Sequence, residues 1–371
     1  TTEIYTLSLH DALPILKKAQ TTSQASYTEI SICLVKVRTD EGIEGYGECL
    51  ARFAPTAYAD LINRTFAPKL IGKDPWAVDT LWNTMRKTLN GRPGGILIES
   101  IAGVDMALWD ILGKSTGLSV RRLLGGRNAE SVPAYASSVM VSDDMELEAE
   151  KLLLQGFKII KIKIGNGIPT DIERVAHLRR LVGPDVALVT DVNFIYTEDE
   201  AETLSRRLAE HEVVWLEEPV VPENREGYKR LSRKSSIALA GGESEFVAAE
   251  FTDLIASGAV KFVQPDVTRA GGITECRKIA LLADAFKARY APHVGFSGIL
   301  CVAASLHLAA AMPNTYAYEC MINPNPFREE LGLNPYGLAH QLVDGNAIVP
   351  ERPGLGIDLD WKAVERLRTK I

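Results

Sequence analysis

The chain has 371 residues, 46% of them hydrophobic and 24% charged, with a net charge of −7. That length accommodates two domains or one large barrel with additions, and the acidic balance argues against nucleic acid or an anionic membrane as a partner. Cys33, Cys49, Cys276, Cys301 and Cys320 form no CxxC pair, which speaks against a disulfide framework or a cysteine zinc site and suits a reducing, cytoplasmic setting; no apolar run is long enough to cross a bilayer.

The first fifteen residues, TTEIYTLSLHDALPI, are the in-frame translation of a common sequencing-library adapter, without a mismatch. Residues 1–15 are therefore expected to be non-native and to replace a native first strand, with His10 and Asp11 carrying no function. Residues 16–128 read as an α+β domain. Within it, SYTEISICLVKVRTDEGIEGYGE predicts antiparallel strands joined at a turn over Asp40, Glu41 and Gly42. Helices follow, among them ILIESIAGVDMALWDILGK.

From residue 129 the pattern becomes regular. Candidate strands are VPAYASS, FKIIKIKI, VALVTD, VVWLEEP, IALAGGE, VKFVQPD, RYAPH and TYAYE, with amphipathic helical stretches between them. Thr197 and Glu200 form a predicted capping box, and Gly156 and Gly183 stand where helices should end. Eight strands separated by seven helices predict a (β/α)7β TIM-like barrel over residues 129–325. An open doubly wound sheet is the competing architecture, but no GxGxxG follows a strand. Residues 326–371 carry no further βα repeat and are expected to pack back on the first domain, completing a cap.

The barrel strands share a feature that packing does not require. Lys163, Asp191, Glu217, Glu243, Asp266, His293 and Glu319 each close a strand, one βα unit apart. In a parallel barrel such ends converge on one mouth, where active sites lie. In KIIKIKIG, alternation sends Ile160, Ile162 and Ile164 to one face and Lys161 and Lys163 to the other. Three carboxylates on consecutive strands, Asp191, Glu217 and Glu243, would repel one another unless a cation sat among them. An oxygen-only donor set favours Mg²⁺ over zinc. His177, His211, His307 and His340 lack comparable surroundings.

Taken in order, KIKIG, DVN, LEEP, GGES, QPDVTRAGGITE, APH and YE resemble the mandelate racemase subgroup of the enolase superfamily, from about residue 30 to the C-terminus. The resemblance implies Asp191, Glu217 and Glu243 as Mg²⁺ ligands. It implies Lys163 and His293 as bases on opposite faces of the substrate, with Asp266 paired to His293. Glu319 would hydrogen-bond the substrate carboxylate, Asn193 would join the substrate site, and Lys161 would contact substrate and lower the pKa of Lys163. The implied reaction is Mg²⁺-dependent removal of the α-proton of a hydroxy-carboxylate to an ene-diolate. Dehydration of an aldonate or aldarate to a 2-keto-3-deoxy acid comes first. Racemisation or epimerisation of a 2-hydroxy acid, or cycloisomerisation of a sugar lactone, would use the same site. A small carboxylate is the expected partner, and a homo-oligomer the expected assembly. Two cap loops, through Lys17, Lys18, Thr21, Thr22, Ser23 and Tyr27 and through Arg52, suit a hydroxylated acid. A Schiff-base aldolase using Lys163 covalently would not need the three carboxylates.

Overall fold

A computed structural model of the chain describes residues 2–9, 15–21, 24, 26–52, 54–88, 90–91, 94–140, 144–333 and 342–368. The cap begins with strands β1 (Thr2–Leu9), β2 (Ile15–Thr21), β3 (Ser26–Glu29), β4 (Ile32–Thr39) and β5 (Glu44–Cys49). β1, β4 and β5 form one antiparallel sheet, and β2 pairs with β3. The predicted turn joins β4 to β5: the Gly42 amide donates to the Thr39 carbonyl at 3.0 Å, and its φ of +84° needs glycine. Helix Ile96–Thr116 lies so close beneath β5 that a Cβ on Gly47 would collide with the Gly103 carbonyl. Val35, Phe66, Trp82, Met85, Ile98 and Val104 fill the core between them.

The adapter-like segment has a place in this fold. β1 pairs with the whole of β4, from Thr2 opposite Thr39 to Leu9 opposite Ile32. Alternating residues such as Ile4, Thr6 and Ser8 satisfy a strand's backbone pairing whatever the origin of their codons. Deleting residues 1–15 would leave the β4 amides on that edge without partners. We expect the melting temperature to fall by at least about 2–4 °C, the shift produced by about 1 kcal/mol. An unchanged calorimetric midpoint would show β1 to be dispensable.

The barrel strands are β6 (Ser131–Val139), β7 (Ile159–Lys163), β8 (Ala187–Asp191), β9 (Val213–Glu217), β10 (Ala238–Gly241), β11 (Phe262–Val263), β12 (Arg289–Tyr290) and β13 (Tyr318–Met321). They pair in chain order, all parallel. β13 pairs with β6, and a Tyr290–Thr315 bridge closes the ring. Seven long helices alternate with the eight strands, as predicted, and the Thr197–Glu200 capping box is present. Ile160, Ile162 and Ile164 are buried outward against the helices. Tyr135, Trp215 and Phe262 plug the interior below the mouth, with Trp215 and Phe262 ring centroids 4.7 Å apart. All five cysteines are buried free thiols. Among the described residues no helix is long and apolar enough to cross a membrane.

Acids of the cap dock the two domains by satisfying open helix N-termini. Glu48 accepts from the amides of Gly298 at 2.6 Å and Leu300 at 3.2 Å, at the start of helix Ile299–Ala311. Asp105 accepts from the Thr274 amide at 3.0 Å and the Thr274 hydroxyl at 2.5 Å, at the start of helix Gly272–Ala285. The approach is so close that a Cβ on Gly272 would strike the Asp105 carboxylate. Asp110 accepts from the Tyr46 amide at 2.9 Å and the Leu355 amide at 2.8 Å, tying down the C-terminal segment. That segment also reaches the barrel, since its strand β15 (Asn346–Ile348), paired with β14 (Leu342–Val343), adds antiparallel to β6.

Burial pushes the Asp105 carboxyl up to about 7, against the pull of its bonds from Thr274 and Ile273. A carboxyl with a raised folded-state pKa binds its proton more tightly folded than unfolded. Its contribution to stability therefore falls as pH rises from about 4 towards 7. Asparagine does not titrate, so Asp105→Asn should gain stability relative to the parent between pH 5 and pH 8. Paired thermal melts at the two pH values check the sign.

Candidate active site

The alternation of KIIKIKIG turns both lysines into the barrel, where carboxylates await them. The Lys161 ammonium lies 2.7 Å from Glu217, 2.6 Å from Glu319 and 3.8 Å from Asp191, and is essentially inaccessible. Lys163 donates to Asp191 and, at 3.0 Å, to Asn193 Oδ1. The sequence reading set two like charges against each other. The fold surrounds them with acids on β8, β9 and β13, which largely offsets their repulsion. Burial alone would lower the Lys161 pKa, but Glu217 and Glu319 win and hold it well above the usual lysine value.

Asp191, Glu217 and Glu243 converge as expected, each offering an oxygen within 4.8 Å of the others'. Glu217 is the most heavily engaged. Its Oε1 accepts from Lys161, and its Oε2 from Gln264 at 2.7 Å and Trp215 at 3.1 Å. Burial lifts its pKa to about 7; Lys161 opposes this while Asp191, Glu319 and Glu243 reinforce it. Asp191 is the opposite case: burial raises it, but Lys163 and Lys161 hold it below the usual range. Glu243 Oε2 is buried and, among the described residues, accepts no hydrogen bond; it faces His293 Nε2 at 3.3 Å. Three convergent carboxylates form a donor set that fits a hard divalent cation.

Across the mouth, His293 Nδ1 lies 2.8 Å from Asp266, and Nε2 lies 3.3 Å from Glu243. Asp266 is in turn held by the Thr268 amide at 2.8 Å and hydroxyl at 2.5 Å. Burial lowers the His293 pKa, but Glu243, Glu319 and Asp266 outweigh it and lift the ring to about 9. Glu319, on β13, lines the pocket at this mouth. Its partners are all donors: Lys161, Ser137 at 2.7 Å and the Val294 amide at 2.6 Å. Burial raises its pKa, yet Lys161 and His293 drive it far below the carboxylate range. In each of these contacts Glu319 is the acceptor.

One pocket joins these groups. Lys163, Asn193, Glu243 and His293 line its barrel side, and Gln24, Tyr27 and Arg52 line it from the cap. Gln24 donates to the Asn193 carbonyl, pinning the cap loop onto the barrel mouth. Of the cap-loop residues singled out from sequence, Tyr27 and Arg52 reach the pocket. Thr22 and Ser23 lie outside the described residues, and the side chains of Lys17, Lys18 and Thr21 are not described. His307 is structural, its Nδ1 accepting from the Arg121 amide at 3.3 Å.

Several contributors carried no individual signal in the sequence. Ser137 and Gln264 sit inside strand runs read only for their apolar neighbours. Asp171 accepts from the Gly165 and Asn166 amides, each at 2.9 Å, and from Tyr196 at 2.5 Å. It thereby fixes the turn that follows Lys163, yet in sequence it looks like an ordinary first-turn helix acid.

Comparison with known proteins agrees with this geometry. Residues 4–125 match the mandelate racemase/muconate lactonizing enzyme N-terminal domain, and residues 144–363 match the enolase C-terminal domain-like family. The D-galactarolactone cycloisomerase of Agrobacterium fabrum is 36% identical over 354 residues, covering 90% of each chain. The arabinonate dehydratase of Saccharolobus solfataricus is 33% identical, covering 92% of this chain and 91% of its own. A racemase from Streptomyces coelicolor, solved with bound magnesium, superposes with a TM-score of 0.87 at 27% identity, covering 100% of this chain and 99% of its own. With a capping domain, a closed barrel and acids on its successive strand ends, the chain belongs to the mandelate racemase/muconate lactonizing enzyme family of the enolase superfamily.

Proposed function

We propose that this protein removes the proton α to the carboxylate of an acid sugar and expels the β-hydroxyl, yielding a 2-keto-3-deoxy acid. One observation carries the reading. Lys163 and His293 enter a single pocket from opposite sides of the Asp191–Glu217–Glu243 cluster, Lys163 at Asp191 and His293 at Glu243. Such a pair can remove a proton on one face and deliver one on the other.

Asp191, Glu217 and Glu243 would hold Mg²⁺, which when bound stabilises the negative charge that builds on the substrate carboxylate. Lys163 takes the α-proton, with its nitrogen oriented by Asn193 Oδ1. Asp266 accepts from Nδ1–H of the protonated His293 ring, which orients it so that the Nε2 proton is delivered to the departing hydroxyl and the ring is left neutral. Lys161, Ser137 and the Val294 amide hold Glu319, and through Val294 they fix the backbone beside His293. Incubating the Mg²⁺-loaded protein with a panel of aldonates and aldarates should give 2-keto acid, and EDTA should abolish it. Product formation in metal-free protein would remove the ion from the proposal.

A second reading is favoured by the 36%-identical cycloisomerase. The same α-proton abstraction, followed by loss of a lactone oxygen in place of hydroxide, would make this chain a sugar-lactone cycloisomerase. Proton NMR of the products separates the two outcomes.

A further inference from the structure

We infer that the cap side of this pocket is built for a second carboxylate, so that the substrate is an open-chain aldarate; this rests on the acid-sugar reading above. The pocket is polarised. Its barrel side carries the acids and both proposed proton-transfer groups, whereas the cap contributes a guanidinium, Arg52. Arg52 is half-buried; among the described residues its buried Nε has no hydrogen-bond partner and its guanidinium makes no ion pair. The acid it feels at longer range, Glu99, is already engaged, accepting from Tyr58 at 2.5 Å and lying 3.9 Å from Arg269.

Among the described residues, neighbouring side chains do not supply the missing partner. Tyr27 and Phe296 stand with ring centroids 4.8 Å apart, and Met140 and Met321 complete an apolar wall. A buried guanidinium N–H without an acceptor is costly. The guanidinium's planar fork matches a carboxylate, which it can bind through two parallel hydrogen bonds. With the reacting carboxylate at the metal cluster, the group arriving at Arg52 is the far end of the substrate. An aldonate places a neutral hydroxymethyl there, and a monolactone of an aldarate has no second free carboxylate to offer. An open-chain aldarate supplies the anion.

Matched pairs test this directly: galactarate against galactonate and glucarate against gluconate, with the Mg²⁺-loaded full chain. The aldarate of the accepted configuration should exceed its aldonate in kcat/KM by about 10- to 100-fold, the range expected of a hydrogen bond to a charged group. Arg52→Met should reduce that ratio by a similar factor, mainly through KM, and Arg52→Lys should retain part of it. Preference for the aldonate in the parent protein would overturn the inference while leaving the acid-sugar reading intact, and needs no variant. An unchanged ratio in a folded Arg52→Met protein would overturn it as well. Failure of the parent protein to act on either class would instead remove the acid-sugar reading, and this inference with it.

Discussion

Lys163→Ala should abolish exchange of the α-proton with solvent for acids of one configuration, and His293→Asn for acids of the other. The expectation follows from placement. Lys163 closes β7 and contacts Asp191 and Asn193, whereas His293 follows β12 and faces Glu243 and Asp266. Two strands separate them by the shorter way round the ring and four by the longer, so each side chain is expected to serve its own face of a substrate held at the acidic cluster. A positioned acid or base contributes about 10²- to 10⁴-fold, and losses of that order are expected for the matching configuration. For dehydration, the remaining residue has a different task. The variant that keeps the matching base should still exchange the α-proton but no longer eliminate the β-hydroxyl. Deuterium incorporation from D₂O, followed by NMR on both epimers of an accepted acid, reads both steps. Near-parental exchange on both epimers in both variants would sink the two-base assignment.

What the sequence displayed, and what it hid, follow from the range of the interactions involved. The barrel was legible because each strand is a short apolar run bounded by helical periodicity, and both signals are local. The strand-end acids were legible because one βα unit spaces them evenly. KIIKIKIG was read correctly for direction, since alternation dictates that Lys161 and Lys163 share a face. It was read incompletely for electrostatics. The carboxylates that offset Lys161 come from β9 and β13, dozens of residues away, and no pattern within the strand announces them. Asp105 and Glu48 were hidden for the same reason. Each sits in an otherwise ordinary cap element, and its role exists only once a helix start from the other domain is brought against it. The first fifteen residues show the converse. Their codon match speaks of origin, whereas β4 selects a partner by backbone pairing, to which origin is irrelevant.

Glu217→Gln should weaken Mg²⁺ binding by about 10²- to 10³-fold and lower activity with it. The substitution is nearly isosteric, so the effect is electronic. Both oxygens of Glu217 are committed in the cluster, Oε1 to Lys161 and Oε2 to Gln264 and Trp215. An amide must turn its NH₂ towards one set of those donors, so a donor faces a donor at a fully buried position. The negative charge is also lost from a site where Asp191 and Glu243 alone would balance the ion. Removing one member of a buried charge cluster costs about 3–5 kcal/mol, a range that overlaps the expected loss of affinity. Stability and binding can be read apart. In metal-free buffer the variant should melt below the parent, because Lys161 has lost one of its two close carboxylates. Added Mg²⁺ should raise the parent's midpoint by mass action while leaving the variant's nearly unmoved at the same concentration. Calorimetric titration of the ion into each protein gives the affinity without reference to turnover. A Glu217→Gln protein with the parent's full Mg²⁺-dependent rise in midpoint would mean that the ion, if bound at all, is held elsewhere.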